Sequence, residues 1–180
     1  DGGLVRVANP DEAKTAGIHT VFQELTVLPN RTVAENLLVG REPASAGGLW
    51  LDRDALLAEA QSILDRLGIA LDPRTPASAL STGQRQMVEI ARACAQDPKV
   101  LILDEPTSSL GRAEEDLLFE LVRKLTADGV GIIYITHRMS EVFALSDRIT
   151  VLRDGRFVLT GSTTELDRPA LLNAIVGRDR

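Results

Sequence analysis

The chain is 180 residues long, the size of one ordinary domain, and 20 Lys plus Arg against 26 Asp plus Glu leave a formal net charge of −6. With 44% hydrophobic and 26% charged residues the composition is globular, which excludes a disordered or fibrous chain. One Trp, one Tyr and four Phe offer no stacking platform for single strands, and a negative chain binds phosphate backbones poorly, so no nucleic acid is expected as a partner.

Asn9-Pro10-Asp11-Glu12 combines a capping residue, Pro in the first turn and Glu three positions on, and predicts a helix that Gly17 stops. Ile18-His19-Thr20-Val21-Phe22 follows as a short strand. Thr32-Val33-Ala34-Glu35 is a second capping box, closed by Gly40, and residues 43–48 form a small-residue loop. Asp52 opens a longer helix in which Leu56, Leu57, Ala60, Ile63, Leu64 and Leu67 recur at helical spacing, and Gly68 ends it.

Residues 73–79 read as loop, and Ser81-Thr82-Gly83-Gln84 is a third capping box, opening a helix with an inner face of Met87, Ile90, Ala91 and Cys94. After Asp97-Pro98 comes Val100-Leu101-Ile102-Leu103, a continuous apolar run of the kind found in strands covered on both faces, ending abruptly in Asp104-Glu105-Pro106. An amphipathic helix through Leu117, Leu118, Leu121, Val122 and Leu125 leads to a second expected buried strand over residues 131–136. Strand, helix, strand implies a right-handed crossover. A short helix over 141–145, a strand over 148–153, a hairpin at Asp154-Gly155, a strand over 156–160 and a helix from Pro169 to Gly177 complete the chain. The pattern is α/β, a three-layer unit with a helical insertion at about 32–95.

Cys94 is the single cysteine and cannot form an intrachain disulfide, and no charged stretch followed by an apolar core and cleavage site opens the chain; a reducing compartment is expected. The longest apolar runs, 100–103 and 132–135, fall far short of the roughly 20 residues that span a bilayer, so any membrane link is expected to run through a partner. The chain opens on Asp1-Gly2-Gly3 without a Met and reads as a piece of something longer.

In open parallel sheets functional groups sit beyond the carboxyl ends of the strands. Asp104 and Glu105 close one expected strand there, and Thr136 and His137 close the other. One carboxylate at such a place can hold Mg²⁺ while a second orients an attacking water, although strands also end in acids merely where the chain reaches solvent. Ser81-Thr82-Gly83-Gln84 caps a helix, and the same helix start can receive an anion, because unpaired N–H groups and the positive dipole end point outward and Gly83 lets a phosphate approach. Gln23, directly after a strand, is by itself an ordinary loop amide.

In order, the chain carries Val21-Phe22-Gln23-Glu24, Leu80-Ser81-Thr82-Gly83-Gln84-Arg85-Gln86, residues 100–106 ending in Asp-Glu-Pro, Ser108-Ser109-Leu110, and Ile135-Thr136-His137. This series resembles the nucleotide-binding subunit of ABC transporters, five family motifs in the family's order. Phe22-Gln23-Glu24-Leu25, Val33-Ala34-Glu35-Asn36 with Gly40-Arg41-Glu42, the run from Gln84 to Ala91, and Ile175-Val176-Gly177-Arg178 are similar to the bacterial sugar-import ATPases of the ribose, galactose and xylose type. Two ATPase halves are fused in that group, and this chain resembles the first.

The resemblance implies a P-loop NTPase (RecA-like) core over 1–31 and 96–161, a helical subdomain over 32–95 and a C-terminal helical tail over 162–180. It implies ATP and Mg²⁺ as cofactors, with Gln23 touching the metal and the attacking water, Asp104 supporting Mg²⁺, Glu105 as general base and His137 as the switch histidine. Ser81, Thr82, Gly83 and Gln84 would bind the γ-phosphate of ATP held by a second ATPase domain, fused or in a dimer. Implied partners are transmembrane permease subunits and, indirectly, a periplasmic or extracellular solute-binding protein, and the implied location is peripheral, on the cytoplasmic face of the cell membrane. The implied function is ATP-driven import of a sugar or related solute. A non-transport ABC ATPase and an inert binding module with the same fold are the alternatives. Gly111 departs from the family pattern, which carries Asp or another polar residue there.

Phosphate binding in this family uses G-x-x-x-x-G-K-[ST]. The three lysines, Lys14, Lys99 and Lys124, do not follow a glycine, so the motif is absent from these 180 residues. The expected domain therefore lacks the Walker A strand, loop and helix, and the gap is expected to leave unpaired strand edges. The 180-residue chain alone should bind Mg-ATP more weakly than micromolar and should not hydrolyse it; titration calorimetry showing micromolar binding would refute this.

Overall fold

The structure is a computed structural model that describes residues 6–45 and 50–177. The opening Asp1-Gly2-Gly3, the end of the 43–48 loop and Arg178 lie outside the described residues. The chain divides into two compact units, Asp1–Ile135 and Thr136–Arg180.

In the first unit α1 (Pro10–Thr15) precedes β1 (Ile18–Val21). Asn9 caps α1 as expected, its side chain accepting from the Glu12 N–H. Then come α2 (Val33–Leu37), α3 (Arg53–Leu67) and α4 (Thr82–Cys94). The expected loop before α4 contains a short 3₁₀ turn, Ala77–Ala79. β2 (Val100–Asp104), α5 (Arg112–Ala127) and β3 (Gly131–Ile135) close the unit.

The three strands form a parallel sheet in the order β1-β2-β3, with Val21 opposite Leu103 and Asp104 opposite Ile135. All three carboxyl ends therefore meet at one edge of the sheet. The helices between β1 and β2 are amphipathic for the reason the spacing gave: Leu56, Ala60, Ile63, Leu64 and Leu67 of α3 are buried, as are Met87, Ile90, Ala91 and Cys94 of α4. α4 is the hub, touching α2, α3, α5 and β1. Burial in this core pushes the Cys94 thiol up to about 12, so it behaves as a small apolar group.

Only β2 meets the expectation of a strand enclosed in the sheet. β3, expected to be buried, pairs with β2 alone among the described residues, and Ile133 and Ile135 are 52% and 47% exposed. An edge strand has one neighbour and less cover, which is why its apolar run is not matched by burial.

In the second unit β4 (Arg148–Arg153) and β5 (Arg156–Ser162) form an antiparallel hairpin, with α6 (Met139–Leu145) before it and α7 (Arg168–Val176) after it. β5 runs two residues beyond the expected 156–160, pairing as far as Arg148 opposite Ser162, with a register shift of one residue at Val151/Leu152. Ile149, Val151 and Leu171 form its buried core, against which Met139, Val142, Phe143 and Leu166 pack. The Arg168 guanidinium lies 5.6 Å from the centre of the Phe143 ring.

His19, buried in β1, is held below the ordinary histidine range, first by desolvation and then by the positive charges of Lys14 and Arg41. Because the folded state binds this proton less readily than the unfolded chain, stability is full above about 6.5, the ordinary histidine value, and falls as pH drops through it. Glu35 is shifted down by the Thr32 N–H, and its contribution is lost only below about 4.5. Urea unfolding should therefore show the chain losing stability between pH 7 and 5, with His19→Gln flattening that slope; an equal slope in the variant would contradict the assignment.

Candidate functional site

Parallel pairing brings three of the candidate residues to one edge. Gln23 is exposed two residues past the end of β1, Asp104 is the last residue of β2, and Glu105 follows it, both half-buried. The Glu105 N–H donates to the Ile135 carbonyl at 2.9 Å, fixing the turn against the end of β3. Glu105 adopts φ of 45°, a left-handed conformation unusual for a side chain of this size, and such residues concentrate where geometry serves a site.

The second group stands at the start of α4. The Ser81 hydroxyl accepts from the Gln84 N–H at 3.1 Å, and the Gln84 side chain accepts from the Ser81 N–H at 3.0 Å, the two halves of a capping box. Ser81 and Thr82 are exposed while Gly83 is buried. A Cβ on Gly83 would stand 3.2 Å from the Ser109 carbonyl oxygen, so glycine is what lets the helix start press against the loop that leaves Glu105.

That loop, residues 105–111, makes two turns through Ser108 N–H to the Glu105 carbonyl and Leu110 N–H to the Thr107 carbonyl, each 3.2 Å. Gly111 then caps α5 with no side-chain bond, and a Cβ there would meet Glu114 Oε2 at 2.7 Å. The departure from the family pattern thus has a local counterpart, the Glu114 carboxylate occupying the space beside Gly111.

His137 belongs to the second unit, where it is exposed in the turn between residues 136 and 138. Thr136 Oγ1 donates to Glu141 Oε2 at 2.8 Å, accepts from the Arg138 N–H at 3.0 Å, and Arg138 pairs with Glu141 Oε1 at 2.6 Å. A fully buried carboxylate therefore braces both neighbours of His137.

Sequence reading overlooked two buried polar groups next to the Gln23 loop. Asn36 accepts from the Leu28 N–H at 2.7 Å and donates to the Leu28 and Thr32 carbonyls at 3.1 and 2.9 Å. Glu89, buried on the other side of α4 from Met87 and Ile90, accepts from the Thr26 N–H and hydroxyl. For Asn36 the available signal was a polar residue in phase with Val33 and Leu37; Glu89 falls in line with Arg85 and Arg92, so the spacing gave no sign of its burial.

A parallel sheet with acids gathered at its carboxyl edge, and a helix that starts on Leu-Ser-Thr-Gly-Gln against the adjoining loop, define the nucleotide-binding cassette class within the P-loop NTPase fold. The family model described as ABC transporter matches residues 5–108, more than half of the chain, and the chain belongs to the ABC transporter family. It is 50% identical over 179 residues to Arabinose import ATP-binding protein AraG 2 of Burkholderia thailandensis, covering 99% of this chain and 34% of that protein. It is 42% identical over 178 residues to a putative ribose/galactose/methyl galactoside import ATP-binding protein of Burkholderia cenocepacia, covering 99% and 35%. The chain thus spans about a third of the length of the curated relatives it matches. Among solved structures, a nucleotide-free ATP-binding cassette from an ABC transporter matches at TM-score 0.73 and 27% identity over 93% of this chain and 68% of that one. The ADP conformation of such a cassette matches at 0.72 and 27%, over 95% and 69%.

Among the described residues no helix is long and apolar enough to cross a membrane. Ser81→Ala removes one half of the capping box and should lower unfolding free energy by about 1 kcal/mol, with Ser81→Thr within a few tenths of wild type. Denaturant titration measures both, and an unchanged midpoint for Ser81→Ala would show that the cap contributes nothing.

Proposed function

We propose that this chain is part of an ATP-binding and ATP-hydrolysing subunit of an ABC importer, energising uptake of a sugar or related solute from the cytoplasmic face of the membrane. The observation that carries it is the Ser81-Thr82-Gly83-Gln84 turn, built on a glycine-tight contact with the loop that leaves Asp104 and Glu105. The names of the relatives, arabinose and ribose/galactose/methyl galactoside import ATP-binding proteins, support the solute class.

In this reading residues 1–31 and 96–161 form the α/β core, 32–95 the helical part and 162–180 a tail. Ser81, Thr82, Gly83 and Gln84 face the γ-phosphate of ATP held by a second ATPase domain, and His137 is the switch histidine of the γ-phosphate. The Glu105 carboxylate accepts the proton of the attacking water, with Gln23 orienting that water. The donor chemistry fits Mg²⁺, a hard ion that takes one or two protein oxygens and completes its shell with water and phosphate oxygens. Asp104 and the Gln23 amide oxygen are the groups that would hold it, and when bound it neutralises charge on the transferring phosphoryl group. Permease subunits, fed by a solute-binding protein, are the proposed partners.

Gly111, where the family pattern carries Asp or another polar residue, favours a second reading, a binding or regulatory module that keeps the fold without hydrolysis. Two substitutions in the full-length protein separate capping from chemistry. Ser81→Asp keeps a good cap, so stability should stay within about 0.5 kcal/mol, while its charge opposes phosphate and hydrolysis should fall on the order of 100-fold. Glu105→Gln should lower kcat by roughly 10²-fold or more with nucleotide binding retained. A wild-type protein that binds but does not hydrolyse ATP would establish the second reading instead.

A further inference from the structure

Glu89 is 4% exposed on the side of α4 away from Met87, Ile90 and Ala91, in line with Arg85 and Arg92, a buried position an apolar side chain would fill without desolvation cost. Its Oε1 accepts from the Thr26 N–H, from the Thr26 hydroxyl at 2.7 Å, and from Arg92 Nη2 at 3.3 Å. Arg92 Nη2 also donates to Thr26 Oγ1 at 2.5 Å, so the hydroxyl gives one bond and receives one and the three groups close into a ring. Asn36 holds the chain again at Leu28, two residues on. The loop after Gln23 is thereby fixed to α4 and α2.

A buried ion pair is a weak device for stability, since desolvation consumes most of its attraction, and a better one for fixing the registry of two segments. The two segments here are the Gln23 loop and the helix whose first turn is Ser81-Thr82-Gly83-Gln84. Eight residues separate Ser81 from Glu89, about 12 Å along the axis at 1.5 Å per residue. A helix transmits displacement over that distance without changing its own bonds.

We propose that Glu89, Arg92 and Thr26 form a latch that makes the loop after Gln23 and the Ser81–Gln84 turn move as one body, so that a membrane partner pulling on the loop shifts the turn. The latch residues are positioning residues. The coupling role rests on the importer reading; the latch itself rests on the bonds above.

Hydrogen exchange on the 180-residue chain tests the latch. Glu89→Ala should speed exchange of the amides of residues 24–28 about tenfold or more, Glu89→Gln, which keeps an acceptor but loses the charge, should fall between, and Thr26→Val gives a milder break if Glu89→Ala does not fold. The full-length protein with its permease in vesicles tests the coupling: in Glu89→Ala and Thr26→Val, sugar carried per ATP should drop severalfold while permease-free hydrolysis stays within about twofold of wild type. Leu64→Ala, which loosens α3 away from the latch, should leave that ratio unchanged. Unaltered exchange over 24–28 in both Glu89→Ala and Thr26→Val would overturn the latch, and an equal drop of the ratio in Leu64→Ala would overturn the coupling. Absence of hydrolysis in the wild type would overturn the importer reading and with it the coupling, while the exchange result would still decide the latch.

Discussion

Parallel pairing is the constraint from which the site follows. Because β1, β2 and β3 run the same way, backbone hydrogen bonding delivers the end of every strand to one edge, and residues far apart in the chain become neighbours there without any side chain having to specify it. Gln23 and Asp104 share that edge because Val21 stands opposite Leu103. A slip of β1 by one residue would turn His19 and Val21 out of the core while Leu101 and Leu103 stayed in it, so apolar burial on alternating positions protects the geometry of the polar ends.

The second organising element is α4, which meets two demands at once. Its inner face fills the space between α2, α3, α5 and β1, while its first turn stays polar and outward. These demands do not compete because a helix separates them: packing is set around the circumference and capping at the end. Gly83 is where they touch, being both in the polar turn and buried against Ser109.

Local chemistry was legible in the sequence. The capping boxes at Thr32 and Ser81, the cap at Asp52 and the stop at Gly68 all appear where residue type predicted them, since each depends on residues within four positions. The burial of β3 was misread because an apolar run shows what a strand would cover and says nothing of how many neighbours it has. The length of β5 is hidden for a similar reason, as the point where a hairpin stops pairing belongs to the two strands together and to neither alone. In the site, Asp104, Glu105 and the Ser81 turn could be placed from strand ends and caps, whereas Glu89 and Asn36 were passed over because their partners lie at Thr26 and Leu28, outside the helices that carry them.

The span between Thr26 and Glu89 has a kinetic consequence. These partners are 63 residues apart, whereas the capping boxes close over three, so the helix starts can form while the chain is still open and the ring of Thr26, Glu89 and Arg92 cannot. It must wait until α4 has docked on β1. The buried carboxylate therefore stays hydrated through the early steps of folding and surrenders its water only when its partners arrive, which makes the segment after Gln23 a late-setting part of the domain.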